Sequence, residues 1–501
     1  MKISDLFSPA NSLEELISEG TALSQGSLEI RDIHYRSDAV QPGDLFVAIP
    51  GLATDGHLFA KDAASRGAAF LVAERPVPEA GLPTVLVKDS RKALAALAAV
   101  FYGFPARDLT LIGITGTNGK STTTHLLESI LQKAGHNTGV MGTIDWHYPG
   151  YREKSSVTTP ESRDLQARLA QMRDAGVSHV VMEVSSHAAC LNRIAYAPFD
   201  LAVFTNLSQD HLDYHGSMEA YWQCKRGFLE DVLDGVHGKK NAQLVLNIDD
   251  PAGETLLNHC LPRTGGRRLI STGRHPDAVI RPGHTRFSLS GIRCTLATPE
   301  ESFAISSPMA GAFNLENILS ATGAAVALGI PGDRIKEALE SPLSVPGRLE
   351  RIPDTRGRFV FVDYAHTPDA LQKALQTLKD AAEGRLIVVF GCGGNRDRSK
   401  RPLMGGLAAS LADICILTSD NPRKEDPDVI LQDILEGIPS RRDVFVEKDR
   451  RTAIFMAIHL AHPGDTILIA GKGHEDYQII GDRVLRFDDR IVAREALASH
   501  D

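Results

Sequence analysis

The chain has 501 residues, with 54 Lys and Arg against 63 Asp and Glu, a net charge of −9. That balance argues against broad binding to nucleic acid or to an anionic membrane, so an anionic ligand needs local positive charge. A hydrophobic content of 43% is ordinary for a globular chain, and this length is enough for about three domains.

Residues 1–90 read as a small mixed α/β domain. Asp44 to Ile49 and Thr84 to Val87 are strand-like, and Lys61 to Gly67 has helix character with a glycine suited to a C-cap. Ser90 is the expected N-cap of an alanine-rich helix that stops near Gly103 and Pro105, a plausible join. From about 108 strands and helices alternate. Leu109 to Thr115 is a strand and Ser121 to Ala134 a helix. His179 to Val184, Leu201 to Thr205 and Gln243 to Ile248 are further strands. This is the signature of a parallel sheet wrapped by helices. Pro342 and Pro346-Gly347 mark a second hinge. The alternation then restarts, with strands at 359–362, 386–390, 414–417 and 466–469. Ligands of such sheets sit outside the carboxyl ends of the strands.

Six cysteines, at 190, 224, 260, 294, 392 and 415, form no CxxC pair. Neither a zinc site nor a disulfide framework is expected, and reduced thiols in a cytoplasmic protein fit best. The opening residues lack a secretory apolar stretch, and the longest apolar run, Ala93 to Ala106, is too short to span a bilayer.

The strongest motif is Thr115-Gly-Thr-Asn-Gly-Lys-Ser-Thr122, between a strand and a helix. Its glycines let backbone approach phosphate, and the helix start offers unpaired N–H groups. Lys120 supplies a point charge, and Ser121 or Thr122 a hydroxyl for Mg²⁺. The strict nucleotide-loop spacing puts its first glycine at position 114, which is Ile114. The bland reading is a glycine-rich turn, but the lysine and hydroxyls favour nucleotide phosphate.

Glu183 ends one apolar strand, and Asp210, His211, Asp213 and His215 follow the next. Taken singly, each suits capping or a turn; together beside a phosphate loop they favour a metal role. Lys225 reads on its own as a surface lysine of a helix. Asp420-Asn-Pro-Arg423 follows a strand, and Asp, Asn and Pro suit a turn there. A turn does not require Arg423.

These motifs together resemble the Mur ligase family of ATP-dependent amide-bond ligases. The resemblance rests on GDLFVAIPG (43–51), GTNGKST (116–122), EVSSH (183–187), NLSQDHLDYHG (206–216), DYAHTPDAL (363–371), GCGGNRDRSKRP (391–402), DNPR (420–423) and GKGHEDYQ (471–478). It implies three domains: 1–90 for a UDP-linked substrate, 91–340 as a central ATPase with a P-loop-type parallel sheet, and 341–501 as a mobile Rossmann-like domain for an amino acid. It implies that ATP phosphorylates the D-glutamate side chain of UDP-N-acetylmuramoyl-L-alanyl-D-glutamate, and that the amine of meso-2,6-diaminopimelate attacks the acyl phosphate. A monomer acting on small molecules, without nucleic acid or membrane insertion, is expected.

By the same resemblance, Gly116, Thr117, Asn118, Gly119, Lys120, Ser121 and Thr122 hold the ATP phosphates. Asn314 and Asn317 lie on the adenine side, and Arg348, Asp363 and His366 reach the nucleotide from the third domain. Mg²⁺ falls to Thr122, Glu183, His211 and Lys225, the last as a carbamate. Lys120, Glu183, His211 and Lys225 form the catalytic set. Ser37, Thr158, Thr159, Ser185 and Arg193 match the UDP-substrate contacts. Arg396, Asp420, Asn421, Pro422, Arg423, Gly471 and Glu475 match the diaminopimelate contacts, with Arg423 the expected partner of its distal carboxylate.

The chain departs from the family pattern in places. Arg36-Ser37-Asp38 stands where the family has Asp-Ser-Arg, and Val157 and Leu191 replace Asn and Gln. Other readings are a same-fold ligase for L-lysine, a folate-polyglutamate synthetase, or a catalytically silent nucleotide-binding relative.

Overall fold

The computed structural model describes residues 1–8, 16–20, 27–51, 54–266, 268–342, 344–439 and 443–499. Short apolar runs build its first sheet. The strands are β1 (Ile17–Gly20), β2 (Ile33–His34), β3 (Leu45–Val47), β4 (Phe70–Ala73) and β5 (Thr84–Val87), in the order β1-β5-β4-β3-β2. β1 is antiparallel to β5 and the other pairs are parallel. The alanine-rich helix Ser90–Phe101 buries Ala93, Leu94, Leu97 and Val100 in this sheet's core. Its N-cap is Asp89, not Ser90: the Asp89 carboxylate accepts from the N–H groups of Arg91 and Lys92. A carboxylate can take both amides, which frees the Ser90 hydroxyl to donate to Glu74 at 2.8 Å.

The central sheet holds β6 (Thr110–Thr115), β7 (Thr138–Met141), β8 (Asp145–Tyr148), β9 (Tyr151–Lys154), β10 (His179–Glu183), β11 (Phe199–Phe204), β12 (Gly238–Asn247) and β13 (Leu269–Thr272). Their order is β13-β12-β11-β6-β10-β7-β8-β9, parallel as far as β7 and then antiparallel. Both faces of its parallel centre are covered, which is why β6, β10 and β11 are largely apolar, whereas the edge strand β9, Tyr-Arg-Glu-Lys, is mostly exposed. Leu111, Val180 and Met182 enter one core; Ile112, Ile114 and Val181 enter the other. The helix Met218–Asp234 covers the first face and the helices Lys120–Lys133 and Ala312–Ala327 the second. β6 lies between β10 and β11, where the strand order switches direction. A crevice opens at such a point, at the carboxyl ends of the strands.

Residues 281–307 form a three-stranded antiparallel sheet that the sequence did not signal: β14 (Arg281–Ser288), β15 (Gly291–Ala297) and β16 (Ser302–Ser307). Its strands are polar on the open face, with exposed Arg293 between buried Ile292 and Cys294.

The third sheet has β17 (Glu350–Ile352), β18 (Phe359–Asp363), β19 (Leu386–Phe390), β20 (Ile414–Leu417), β21 (Asp443–Val446) and β22 (Thr466–Ala470), ordered β17-β18-β22-β19-β20-β21. Only β17 runs antiparallel to its neighbour. A hairpin of β23 (Tyr477–Ile480) and β24 (Arg483–Arg486) follows. Arg450, fully buried, ties this unit together. It donates to Asp489 through Nε at 2.8 Å and Nη2 at 2.7 Å, and to the Ala470 carbonyl at 2.9 Å.

Cys190 and Cys224 are joined by a disulfide, with Cα atoms 5.5 Å apart. This corrects the expectation of six reduced thiols. The partners are 34 residues apart, but their helices pack together, and linear spacing does not reveal that. Cys260, Cys294, Cys392 and Cys415 are buried and take part in no disulfide. Among the described residues, no helix is long and apolar enough to cross a membrane.

Two stability predictions follow from buried charge. Removing one member of a buried pair leaves an uncompensated ion, so Asp489→Ala should cost roughly 3–5 kcal/mol in denaturant unfolding. An apolar replacement of both Arg450 and Asp489 should cost much less. His147 lies 2.6 Å from Asp145 and 2.7 Å from Glu128 of the phosphate-loop helix. Burial opposes its charge, but the two carboxylates outweigh burial and hold the imidazolium up to about 9 from 6.5. The resulting stabilisation is complete below pH 6.5 and is lost as pH rises through about 9. The thermal midpoint of the native protein should therefore fall across that interval, and His147→Gln should flatten the fall.

Candidate active site

The phosphate loop leaves β6 at Thr115 and enters the helix at Lys120. Two of its residues must be glycine. Gly116 has φ 146°, and a Cβ there would lie 1.9 Å from Thr205 Oγ1. Gly119 has φ 85°, and its Cβ would lie 2.2 Å from Asn317 Oδ1. The exit of β11 braces the loop. Thr205 Oγ1 donates to the Asn118 carbonyl at 2.7 Å, and the Asn118 N–H donates to Asn206 Oδ1 at 2.9 Å. Asn206 opens the NLSQDHLDYHG stretch, where nothing local marks it as the brace of a distant loop.

Lys120 folds back over the loop, its Nζ donating to the carbonyls of Gly116 at 3.0 Å and Thr117 at 2.9 Å. Lys225 approaches from beneath and donates to the same Gly116 carbonyl at 2.9 Å. It is buried, not the surface lysine its local sequence suggests. Its helix turns Tyr221, Lys225, Phe228 and Leu229 inward, at helical spacing. Burial, then the charge of Lys120, push the Lys225 ammonium well below its usual range, against a smaller opposing pull from Asp210. Burial also pushes Lys120 down, opposed by Glu183 and Asp210.

A cavity of about 710 Å³ opens above the loop. Its wall includes Thr117 to Thr122, Thr158, Glu183, Asp210, His211, Asn317, Arg348, Asp363 and His366. Gly116, Asn314 and Lys225 stand behind that wall. Asn314 donates to the Ala310 carbonyl at 2.8 Å and accepts from Asn317 at 3.1 Å, so it orients the asparagine that faces the cavity. Glu183 is held by Thr143, which donates through its N–H and its hydroxyl, each at 2.9 Å. Thr143 was missed in the sequence; its one signal is its place just after β7, next to β10. His211 has φ 53° and its ring lies 3.5 Å from Asp210. His215 turns away to Ser186 at 2.9 Å, and the Asp213 side chain lies outside the described residues. The hydroxyl of Thr122 and the carboxylates of Glu183 and Asp210 are hard oxygen donors beside a phosphate loop. That donor set fits Mg²⁺.

The third unit reaches over this cavity. Arg348 Nη2 donates to Ser121 Oγ at 3.3 Å, and its guanidinium lies 4.7 Å from the Tyr364 ring. Asp369 accepts from Asn118 and Ser208, both at 3.1 Å. Asp363 accepts from the N–H groups of Leu349 and Ala365, fixing the linker, and His366 bonds the Tyr364 carbonyl at 2.9 Å.

Thr159 donates to the Glu183 carbonyl at 2.8 Å and accepts from the Ser185 N–H at 3.0 Å. Arg193 donates to the Thr159 carbonyl at 3.2 Å. With Thr158 on the cavity wall, these residues form one cluster beside Glu183. Ser37 stands in the first unit, in the short helix Ser37–Ala39. The exchanged charges there close on each other: Arg36 and Asp38 pair at 2.6 Å on the surface.

The remaining candidates converge at the carboxyl ends of β19, β20 and β22. Asn421 donates to Glu475 at 2.9 Å. Gly471 leaves room for Asp420, whose Oδ2 would lie 2.8 Å from a Cβ there. Arg423 has φ 53°, its N–H donates to the Ile479 carbonyl at 3.0 Å, and its Nη1 donates to the Gly394 carbonyl at 2.9 Å. A Cβ on Gly393 would lie 2.9 Å from Arg423 Nη1 and 3.7 Å from Arg396 Cγ, so both arginines border one spot. Lys472 was not singled out from the sequence. It is fully buried and donates to Asn421 at 3.3 Å and to Glu475 at 3.2 Å.

Three family models match the chain in sequence: the Mur ligase family catalytic domain over residues 29–102, the Mur ligase middle domain over 114–325, and the Mur ligase glutamate ligase domain over 347–473. The UDP-N-acetylmuramoyl-L-alanyl-D-glutamate–2,6-diaminopimelate ligase of Gloeobacter violaceus is 46% identical over 98% of this chain and 99% of its own. That of Geobacillus thermodenitrificans is 45% identical over 94% of this chain and 96% of its own. A solved structure of a ligase with the same name is 31% identical, with a TM-score of 0.70, covering 100% of this chain and 99% of that one. The chain belongs to the Mur ligase family.

Proposed function

We propose that this chain is an ATP-dependent ligase joining meso-2,6-diaminopimelate to the D-glutamate side chain of UDP-N-acetylmuramoyl-L-alanyl-D-glutamate, with release of ADP and phosphate. Peptidoglycan synthesis in the cytoplasm is its setting. The observation that carries this reading is the pairing of two sites: a phosphate loop closed over by Arg348 and Asp369, and two arginines at the end of the third sheet. The names of the relatives agree with it.

The first unit, which includes the helix Ser90–Phe101, takes the uridine end through Ser37, the central unit the nucleotide, and the third unit the amino acid. A carboxylate is a poor acyl donor, and transfer of the γ-phosphoryl group supplies a leaving group. The protein's work is positioning and charge neutralisation. Lys120 and the loop N–H groups receive the outer phosphates. Asn317 faces the adenine side, with Asn314 fixing its orientation. Arg348, Asp363 and His366 complete the nucleotide site from the third unit. Thr158, Thr159, Ser185 and Arg193 hold the dipeptide end so that its carboxylate meets the phosphate.

Thr122, Glu183, His211 and a carbamylated Lys225 would hold Mg²⁺, which when bound supplies neutralisation of phosphate charge. The low basicity of Lys225 favours that modification. Its neutral amine adds to carbon dioxide and loses a proton, giving an anionic carbamate. The diaminopimelate amine then attacks the acyl phosphate, and the tetrahedral intermediate collapses to amide and phosphate. Arg423 receives the distal carboxylate, with Pro422 limiting its approach, Arg396 beside it, and Asp420, Asn421, Gly471 and Glu475 completing the amino-acid site.

The test is an incubation with ATP, Mg²⁺ and the UDP-linked dipeptide, offering meso-diaminopimelate or L-lysine. Amide product and ADP are expected with diaminopimelate. Product with neither amine, or a preference for lysine, overturns the reading. A charged hydrogen bond contributes roughly 1.5–3 kcal/mol, so Arg423→Ala should raise the KM for diaminopimelate about ten- to hundredfold and leave that for ATP nearly unchanged. Equal changes in both would remove Arg423 from amino-acid recognition.

A further inference from the structure

We propose that Cys190 and Cys224 form a reversible thiol–disulfide modification site that staples two walls of the active site together. Cys190 ends the helix Ser186–Cys190, which follows Glu183, and Cys224 immediately precedes Lys225. The Cα separation of 5.5 Å lies at the centre of the range for bonded cysteines. The two residues differ in access: Cys190 is exposed and Cys224 half-buried. The other four cysteines are buried and lie outside any disulfide, so the chemistry is confined to this pair.

The junction is mechanical as well as chemical. The first helix is capped by Ser185, whose N–H meets Thr159 on the dipeptide side. The second helix presents Tyr221 to Thr117 at 3.2 Å and Lys225 to Gly116, both in the phosphate loop. A bond between Cys190 and Cys224 therefore links the wall behind the dipeptide cluster to the support of the loop. His215, with Nδ1 3.7 Å from Cys224 Sγ and Nε2 2.9 Å from Ser186 Oγ, packs into the same corner.

An exposed disulfide is open to exchange, and disulfides in reducing compartments are mostly transient or sensing. The co-reactant is a small-molecule disulfide such as oxidised glutathione. Cys190 attacks one of its sulfurs and releases one thiol, leaving a mixed disulfide. Cys224 then displaces the second thiol. Two protein thiols are oxidised to one disulfide, one small disulfide is reduced to two thiols, and the two protons pass to the leaving thiols. Excess reduced glutathione runs the exchange backwards. The inference does not depend on which amino acid the ligase adds.

The test uses the full-length protein equilibrated in glutathione buffers from reducing to oxidising, alkylated to trap thiols, and mapped by mass spectrometry. A Cys190–Cys224 linked peptide should grow with oxidised glutathione, while the other four cysteines stay alkylatable after denaturation. Cys190→Ser should show no linked peptide. Amide hydrogen exchange in residues 186–191 should be roughly tenfold slower in the bridged form. In Cys190→Ser it should stay at the reduced rate in every buffer. Free thiols at both positions in every buffer overturn the proposal. So does a bridged form with unchanged exchange, or a soft metal ion held by both thiols in native mass spectrometry.

Discussion

Two amine-bearing side chains, Lys120 and Lys225, point at one carbonyl oxygen, that of Gly116. Two unit charges at about 4 Å repel by roughly 4 kcal/mol at the effective dielectric of a protein surface. The site is built around relieving that crowding. Lys225 is buried, so its neutral form is favoured, and Glu183 and Asp210 set negative charge against Lys120. The glycine at 116 makes the geometry possible, because any side chain there would collide with Thr205. A bound polyphosphate adds the negative charge that the loop is shaped to receive.

That demand for charge also explains how the third unit sits. Among the described residues it meets the loop and the adjoining segment after β11 through polar contacts: Arg348 on Ser121, and Asp369 on Asn118 and Ser208. Hydrogen bonds of this kind form and break at little net cost. They seat Arg348 and Asp369 directly against the loop and its neighbour Ser208.

Legibility in the sequence followed locality. The phosphate loop was readable because its parts are consecutive, and the parallel sheets because apolar runs alternate with amphipathic ones. Lys225 was not, since a lysine on a helix gives no sign of which face is buried. Thr143 lies 40 residues from Glu183 and meets it only because β7 and β10 are neighbours. Cys190 and Cys224 were hidden for the same reason. The Asp89 cap was missed because Asp and Ser stand side by side, and a preference for either cannot show which one turns outward. Residues 281–307 were missed because their strands are half exposed and too polar to announce themselves.

The backbone of Arg423 carries a last consequence. Its N–H donates to the carbonyl of Ile479, and its own carbonyl accepts from the N–H of Gly481 at 2.6 Å. The hairpin of β23 and β24 thus acts as a jig for the DNPR turn, holding Arg423 in its left-handed conformation. The aim of the Arg423 side chain thus belongs to two segments some sixty residues apart. A loop transplanted between relatives without its hairpin would arrive with the right side chains and the wrong aim, so drift in one segment constrains drift in the other.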